Sequence, residues 1–195
     1  PEIISIPMKR TFIAIPVTPS PELLGLFEKA RRQLTGSGIK WVDPESLHLT
    51  LKFLGDTEER MIPEIQRLMA NAGSSFFRTS GKLASLEYFS FKGNPSVLFS
   101  KITGLPGLEE LAIKVDEAMI TAGFIPEQRK FRPHLTLARI KYLNDKGKFF
   151  DLIRKYQDTV FQSFEANHMV LYESILRSEC PLYIPLHTFT FPVSG

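Results

Sequence analysis

Two copies of one short motif set a histidine close to a threonine. The sequence His-Leu-Thr-Leu begins at His48 and again at His134, an offset of 86 residues between positions 48 and 134. Imidazole has an ordinary pKa of about 6.5, so it can donate or accept a proton close to neutral pH. In a strand, alternate residues share a face. Each copy therefore predicts a surface with an imidazole and a hydroxyl, opposite a buried face with two leucines.

Two histidines that face one cleft suit the opening of a 2′,3′-cyclic phosphate. One imidazole would accept a proton from the attacking water, and the other would protonate the ribose oxygen that leaves. The hydroxyls of Thr50 and Thr136 would donate hydrogen bonds to the non-bridging oxygens, where charge develops. This scheme needs no metal. His168 and His187 have no threonine two residues later, and we expect structural roles for them.

The segments around the two motifs repeat at the same spacing. A strand-like run and a helical run precede each motif, and a second helical run and further strands follow it. The strand-like runs are 11–17 and 97–103, the helical runs are 21–32, 107–118, 57–72 and 144–156, and the closing strands are 82–91, 164–176 and 182–191. This pattern predicts two similar units, 9–91 and 95–192, that form lobes related by a pseudo-twofold axis, with the motif strands across a central cleft. The alternative is that the motifs are two ordinary amphipathic strands in separate places.

The composition is typical of a globular protein. A chain of 195 residues with 43% hydrophobic residues can build one domain, or one domain of two lobes. The net charge of +3 tolerates an anionic partner without requiring one. The one cysteine, Cys180, excludes an internal disulfide. The sequence has no long apolar run and no signal-peptide cleavage site, so we expect a cytoplasmic protein. The domain is expected to cover residues 8–195, after an extension at residues 1–7.

Four segments resemble those of a known family. Trp41–Gly55 and Phe131–Arg139, which contain the two motifs, are similar to the two signatures of the 2H phosphoesterase superfamily. Within it, they most resemble the bacterial and archaeal RNA 2′,3′-cyclic phosphodiesterases, formerly called 2′-5′ RNA ligases. Arg10–Ile15 and Leu171–Leu176 are similar to strands of that family, and the resemblance covers nearly the whole chain. The sequence departs from the family at Glu179-Cys180-Pro181, a turn where the family tends to have a glycine.

The resemblance implies an α+β fold of two lobes, each an antiparallel sheet with helices on its outer side and the catalytic cleft between them. It implies hydrolysis of RNA 2′,3′-cyclic phosphate ends to 2′-phosphomonoesters without a cofactor. It also implies that His48 donates a proton to the leaving oxygen and that His134 accepts a proton from water. Thr50 and Thr136 would bind the phosphate, and Arg139 would add a cationic contact. The symmetry of the repeat by itself does not distinguish the acid from the base.

Side-chain alternation predicts where the neighbours of the motifs point. Strict alternation would put Arg139 on the face opposite the second histidine, so it reaches the site only if the strand ends or bulges there. The same alternation puts Lys52 on the face of the first histidine and Phe53 in the core. Trp41 and Phe53 are candidates to stack on a base, with core packing favoured for Phe53.

Two other functions stay open, and two are disfavoured. The same site could join RNA ends through a 2′-5′ bond without ATP, and a fold of this type could bind nucleotides without turning them over. An ATP-dependent ligase is disfavoured because no Gly-x-x-x-x-Gly-Lys-Ser/Thr loop occurs. A metal-dependent hydrolase is disfavoured because the four histidines include no His-x-His pair. The expected partner is RNA that ends in a 2′,3′-cyclic phosphate, and a cleft within one chain needs only a monomer.

Overall fold

A computed structural model describes residues 7–178 and 180–195. Residues 1–6 of the expected extension lie outside the described residues, as does Glu179 of the turn that departs from the family. The described helices and strands, in chain order, are β1 (Met8–Pro16), α1 (Pro21–Gln33), β2 (Gly38–Trp41), β3 (His48–Glu58), α2 (Ile62–Gly73), β4 (Thr79–Phe91), β5 (Asn94–Thr103), α3 (Leu108–Thr121), β6 (His134–Tyr142), α4 (Lys146–Lys155), β7 (Val160–Ala166), β8 (His168–Ile175) and β9 (Leu182–Thr190). None of the helices in this part of the chain is both long and apolar enough to cross a lipid bilayer.

The strands form two antiparallel sheets, and each sheet takes strands from both sequence units. One sheet has the order β3-β1-β8-β9, and the other has the order β2-β6-β5-β4-β7. The strand that ends the first unit, β4, pairs with β5 of the second unit, while β8 of the second unit pairs with β1. The predicted α+β fold with two antiparallel sheets is confirmed. Each lobe is completed by strands from the other half of the sequence.

The helices cover the buried faces of the sheets, two to each sheet. Helices α2 and α3 contact the first sheet through β9 and β3, and α1 and α4 contact the second through β7 and β4. Helix α1 begins after Ser20, whose side chain accepts a hydrogen bond from the backbone N–H of Leu23. Asp145 caps α4 in the same way. Helix α2 begins at Ile62, later than the sequence predicted, because β3 continues to Glu58.

The two motif strands have the same register and the same bulge. Leu51 has no pairing partner in the β1–β3 ladder, and Leu137 has none in the β5–β6 ladder. Four pairs of one ladder correspond, in order, to four pairs of the other. In the β1–β3 ladder they are Ile15–Leu49, Ala14–Thr50, Ile13–Lys52 and Phe12–Phe53. In the β5–β6 ladder they are Ser100–Leu135, Phe99–Thr136, Leu98–Ala138 and Val97–Arg139. Over these four pairs the ladders match residue for residue. The motif strands are 86 residues apart, as the repeat predicts, but their partners β1 and β5 correspond at an offset of 85, one residue less than the sequence predicted.

The bulge changes which residues point outward. An extra residue in a strand shifts the alternation of every side chain after it. Leu51 and Lys52 are therefore both buried, and Phe53 points outward and is 63% exposed. The predictions that Lys52 lies on the face of the histidine and that Phe53 packs in the core are wrong.

Candidate active site

Strands β3 and β6 lie against each other where the two sheets meet. His48 is the first residue of β3 and His134 is the first residue of β6, and both are half-buried. Thr50 and Thr136 are also half-buried, while the leucines that alternate with them are buried. The contact between the two strands brings both His-x-Thr surfaces to one region of the molecule.

Both imidazoles are held by the same backbone contact. Nδ1 of His48 lies 2.7 Å from the carbonyl oxygen of Ser46, and Nδ1 of His134 lies 2.6 Å from that of Arg132. A carbonyl oxygen can only accept a hydrogen bond, so Nδ1 must be the donor in each ring. The proton that each ring gains or loses is therefore on Nε2. The two histidines present the same nitrogen for proton transfer.

Burial and neighbouring charges lower the pKa of both histidines. For His48 the largest cause is burial, which disfavours the charged ring, and the charges of His134 and Arg139 lower the pKa further. For His134 burial is again the largest cause, and the charges of Arg132 and Arg139 add to it. The hydrogen bonds to the backbone carbonyls act in the opposite direction in both cases. The two imidazoles and Arg139 therefore share one electrostatic site, in which both rings favour the neutral form.

Arg139 lies on the same face as His134 because the strand bulges. Leu137 and Ala138 are both buried, and Arg139 is exposed. The sequence predicted that Arg139 shares the face of His134 only if the strand ends or bulges before it. The strand does bulge, and the extra residue returns the Arg139 side chain to that face. In the other lobe the corresponding position is Phe53. The two halves of the site thus differ, with a guanidinium group on one side and an aromatic ring on the other.

Aromatic rings line both sides of the site, and the sequence did not predict them. The ring of the first histidine lies 4.9 Å from Phe12 and 5.2 Å from Tyr183, measured between centroids. The ring of the second lies 5.0 Å from Phe89 and 5.3 Å from Phe99. Aromatic residues are common on strands, so only the strand pairing singles these four out. Apolar walls of this kind strengthen hydrogen bonds to a bound anion, because they exclude water.

Two of the sequence candidates have structural roles instead. The ammonium group of Lys52 pairs with Asp116 of α3 and donates a hydrogen bond to the backbone oxygen of Ile125 at 2.9 Å. Trp41 packs against Phe27 of α1, with ring centroids 6.1 Å apart. Lys52 is therefore a buried structural cation, and Trp41 joins β2 to α1.

The remaining histidines lie in strands of the first sheet. His168 pairs with Thr190 across β8 and β9, and burial and the charge of Arg78 lower its pKa. His187 pairs with Leu171. Within the ranges 7–178 and 180–195, no three His, Cys, Asp or Glu side chains are grouped as a metal ion would require.

Comparison with known proteins identifies the family of this chain. Residues 13–99 and 104–183 match the family described as LigT like Phosphoesterase. The RNA 2′,3′-cyclic phosphodiesterase of Methanocaldococcus jannaschii is 34% identical over 175 residues, which cover 89% of this chain and 96% of that protein. The protein of the same name from Archaeoglobus fulgidus is 32% identical over 184 residues, which cover 92% of this chain and 99% of that protein.

Solved structures share the fold. The protein TT0787 of Thermus thermophilus has a TM-score of 0.74 and 25% identity, covering 95% of this chain and 100% of that one. Escherichia coli LigT complexed with 3′-AMP has a TM-score of 0.73 and 19% identity, covering 95% of this chain and 99% of that one. The family match spans most of the sequence and includes both motifs. The resemblance that the two signatures predicted is confirmed, and the chain belongs to the LigT-like phosphoesterase family.

Proposed function

We propose that this protein hydrolyses the 2′,3′-cyclic phosphate at the end of an RNA strand to a 2′-phosphomonoester. The observation that carries the proposal is the matched anchoring of His48 and His134, which leaves two Nε2 atoms as proton carriers in one site. Opening a cyclic phosphate with water requires one proton to be accepted and one to be donated, and such a pair can do both. The names of the curated relatives support the substrate class.

In the proposed reaction His134 starts neutral and His48 starts protonated. Water attacks phosphorus and forms a new P–O bond, while its proton passes to Nε2 of His134. The bond from phosphorus to the ribose O3′ breaks, and Nε2 of His48 donates its proton to that oxygen. The product has a 2′-phosphate and a 3′-hydroxyl, and the two rings have exchanged protonation states. The choice of His48 as the acid follows the family resemblance, since the two ring anchors are equivalent.

Substrate binding would supply the charge that this mechanism needs. In the free site, burial and the charge of Arg139 lower the pKa of both histidines, so a protonated His48 is scarce near neutral pH. The phosphodiester brings a negative charge beside both rings, and a nearby opposite charge raises the pKa of an imidazole. We therefore expect substrate binding and protonation of His48 to be coupled.

Thr50, Thr136 and Arg139 would hold the phosphate. The hydroxyls would donate hydrogen bonds to the non-bridging oxygens, and the guanidinium group would neutralise the charge that develops on them. Removal of one such donor typically costs about 10²–10³-fold in kcat. With two imidazoles for proton transfer and these donors for the anion, the scheme operates without a metal.

Phe53 would carry the base of the terminal nucleotide. Its ring is 63% exposed beside the site and is supported by Phe12, with centroids 6.0 Å apart. Stacking of a base on an exposed ring contributes about 1–3 kcal/mol. A phosphate held beside Arg139 and a base held on Phe53 together fit a nucleotide rather than a simple phosphate ester.

The proposed site is contained within one chain, so we propose that a monomer is active. Light scattering coupled to size-exclusion chromatography would test this. The one cysteine also fits a reducing compartment, and we propose a cytoplasmic location, which cell fractionation would test.

The function is tested by product analysis in excess EDTA. Substrates are nucleoside 2′,3′-cyclic phosphates and short RNAs that end in a cyclic phosphate. We expect 2′-phosphomonoesters from the wild-type protein and loss of most of the activity in His48→Ala and His134→Ala. His168→Ala is the matched control, because His168 pairs with Thr190 in the β8–β9 ladder and belongs to neither motif strand, and this variant should keep its activity.

Each contrary result selects a different function. Loss of activity in EDTA with recovery on adding a divalent ion would indicate a metal-dependent hydrolase. A 3′-phosphate product would mean that the other ribose oxygen leaves. Tight nucleotide binding without turnover would indicate a binding module, and joined RNA ends would indicate 2′-5′ ligation.

A further inference from the structure

We propose that the nucleotide on the 5′ side of the terminal one binds on the β4–β5 hairpin, beside the histidine pair. This inference rests on the proposed function and deepens it by naming how the RNA strand continues away from the site. The surface consists of Phe89 and Phe91 of β4, Lys92 of the hairpin turn and Arg132 of the segment before β6. We call these four residues the hairpin platform.

Phe89 joins the platform to the site. Its ring centroid lies 5.0 Å from that of His134 and 4.3 Å from that of Phe99. The guanidinium carbon of Arg132 lies 5.3 Å from the centre of the Phe89 ring. The carbonyl oxygen of Arg132 also anchors His134, so the same residue serves both surfaces. A strand that leaves the site over Phe89 therefore stays next to a positive charge.

Phe91 extends the aromatic surface away from the site. It lies two residues after Phe89 in β4, so the two side chains emerge on the same face about 6.7 Å apart along the strand. Its ring is 66% exposed, and Nζ of Lys92 lies 5.4 Å from the ring centre. An exposed ring with an adjacent cation is the combination by which proteins bind single-stranded nucleic acid, through stacking and phosphate contact.

The hairpin presents Phe91 in a defined position. Lys92 and Gly93 have φ values of 49° and 77°, which correspond to a two-residue type I′ turn. Asn94, the first residue of β5, accepts a hydrogen bond from Nζ of Lys146 in α4 at 2.8 Å. A surface that is ordered before binding loses little conformational entropy when a strand docks on it.

Exposure and symmetry both single out this hairpin. In the described part of the chain the aromatic side chains exposed to solvent are those of Phe53, Phe77, Phe91 and Tyr142. Phe77 lies in the connection between α2 and β4, and Tyr142 ends β6 beside the first residue of β2. In the first sheet β8 pairs with β1, just as β4 pairs with β5 in the second sheet. The residue of β8 that corresponds to Phe91 is Ser174, so the first sheet has no aromatic ring at that position. With Phe53 occupied by the terminal base, the hairpin platform is the aromatic surface that remains for the next nucleotide.

The test compares substrates that differ by single nucleotides. We would measure kcat/KM for a nucleoside 2′,3′-cyclic phosphate and for di- and tetranucleotides with the same cyclic end. Phe91→Ala should lower kcat/KM for the longer substrates by about 5- to 150-fold and leave the mononucleotide within about twofold, because one stacked base is lost. Lys92→Gln should weaken the salt dependence of the tetranucleotide reaction, because one phosphate contact is lost. Phe77→Ala is the matched control, because the Phe77 ring is 48% exposed but lies outside the hairpin platform, and it should leave kcat/KM unchanged for both short and long substrates.

A binding measurement separates this inference from the proposed function. Fluorescence anisotropy of a 5′-labelled tetranucleotide that ends in a 2′-phosphate should show weaker binding to Phe91→Ala than to the wild type. If the wild type hydrolyses no substrate but binds this RNA through Phe91, the proposed function fails and the platform stands. Equal effects of Phe91→Ala on short and long substrates, no effect on either, or an equal loss in Phe77→Ala would overturn the platform.

Discussion

Replacing Asp116 by alanine perturbs a buried ion pair that links the first motif strand to the rest of the fold. Its partner Lys52 lies on β3, and the Lys52 side chain is 3% exposed. The ammonium group of Lys52 contacts Asp116 and the backbone oxygen of Ile125, the latter at 2.9 Å. Asp116 is 22% exposed and also accepts a hydrogen bond from the backbone N–H of Glu127 at 3.1 Å. The pair therefore ties β3 to α3 and to the segment that leads to the second motif.

The two partners differ in what remains when the other is removed. In Asp116→Ala an almost inaccessible ammonium group keeps one carbonyl acceptor, and breaking a buried pair in this way costs about 3–5 kcal/mol. In Lys52→Met the carboxylate keeps the N–H of Glu127 and reaches water, so we expect a loss of about 1–3 kcal/mol. The double variant removes both charges. It should therefore be more stable than Asp116→Ala alone, although it carries one more substitution.

Urea unfolding followed by tryptophan fluorescence measures these free energies. Trp41 is the one tryptophan in the sequence, and it packs from the end of β2 against Phe27 of α1, so its fluorescence reports on unfolding. Glu110→Ala is the matched control, because it breaks an ion pair with Lys114 on the surface of the same helix and should change the midpoint far less. If Asp116→Ala costs less than Lys52→Met, or if the double variant is no more stable than Asp116→Ala, the buried charge is not the cause.

Three further predictions concern the histidine pair and the anion site. His48→Ala and His134→Ala should each lower kcat by about 10²–10⁴-fold, with a much less than additive loss in the double variant; a His134→Ala protein with nearly wild-type turnover would reject the mechanism. Folding lowers the pKa of both rings, so below about pH 6.5 the unfolded chain binds more protons than the folded one. The stability that the two neutral rings contribute should thus be fully present above that pH and be lost as the pH falls through their lowered pKa values. His48→Gln should reduce this loss, as measured by urea unfolding at several pH values; an unchanged pH dependence of the free energy of unfolding would contradict the prediction. Thr50→Ala or Thr136→Ala should slow turnover less than loss of either histidine, because the proton path remains, and Arg139→Gln should slow it by about 10²–10³-fold; steady-state kinetics on a cyclic nucleotide would check the order.

The faces of the motif residues could be predicted from the sequence because strand alternation is a local property. His48 and Thr50 share one face and Leu49 lies on the other, as a period of two requires. The repeat of the motif and of its flanking elements also predicted two similar lobes, because similar sequences form similar local structures. The family resemblance rested on residues that are contiguous in the chain. All of these inferences use information within a short stretch of sequence.

The bulges after Thr50 and Thr136 could not be predicted in this way. A bulge depends on the register between two strands, and β3 and β6 pair with strands that are distant in the sequence. The bulge sets the face to which every later side chain points. The sequence therefore left the face of Arg139 open, and it assigned Lys52 and Phe53 to the wrong faces. The burial of Lys52 also depends on Asp116, a partner 64 residues away.

The sequence by itself thus determined the chemistry of the site: which side chains can transfer protons, which can bind an anion, and that they occur twice. The tertiary structure decided how these groups meet. It exchanges strands between the two sequence units, holds both Nδ1 atoms on backbone carbonyls, and turns Arg139 and Phe53 outward at equivalent positions. These features depend on contacts between segments far apart in the chain, and such contacts exist only when the sheets have paired and the helices have packed on them.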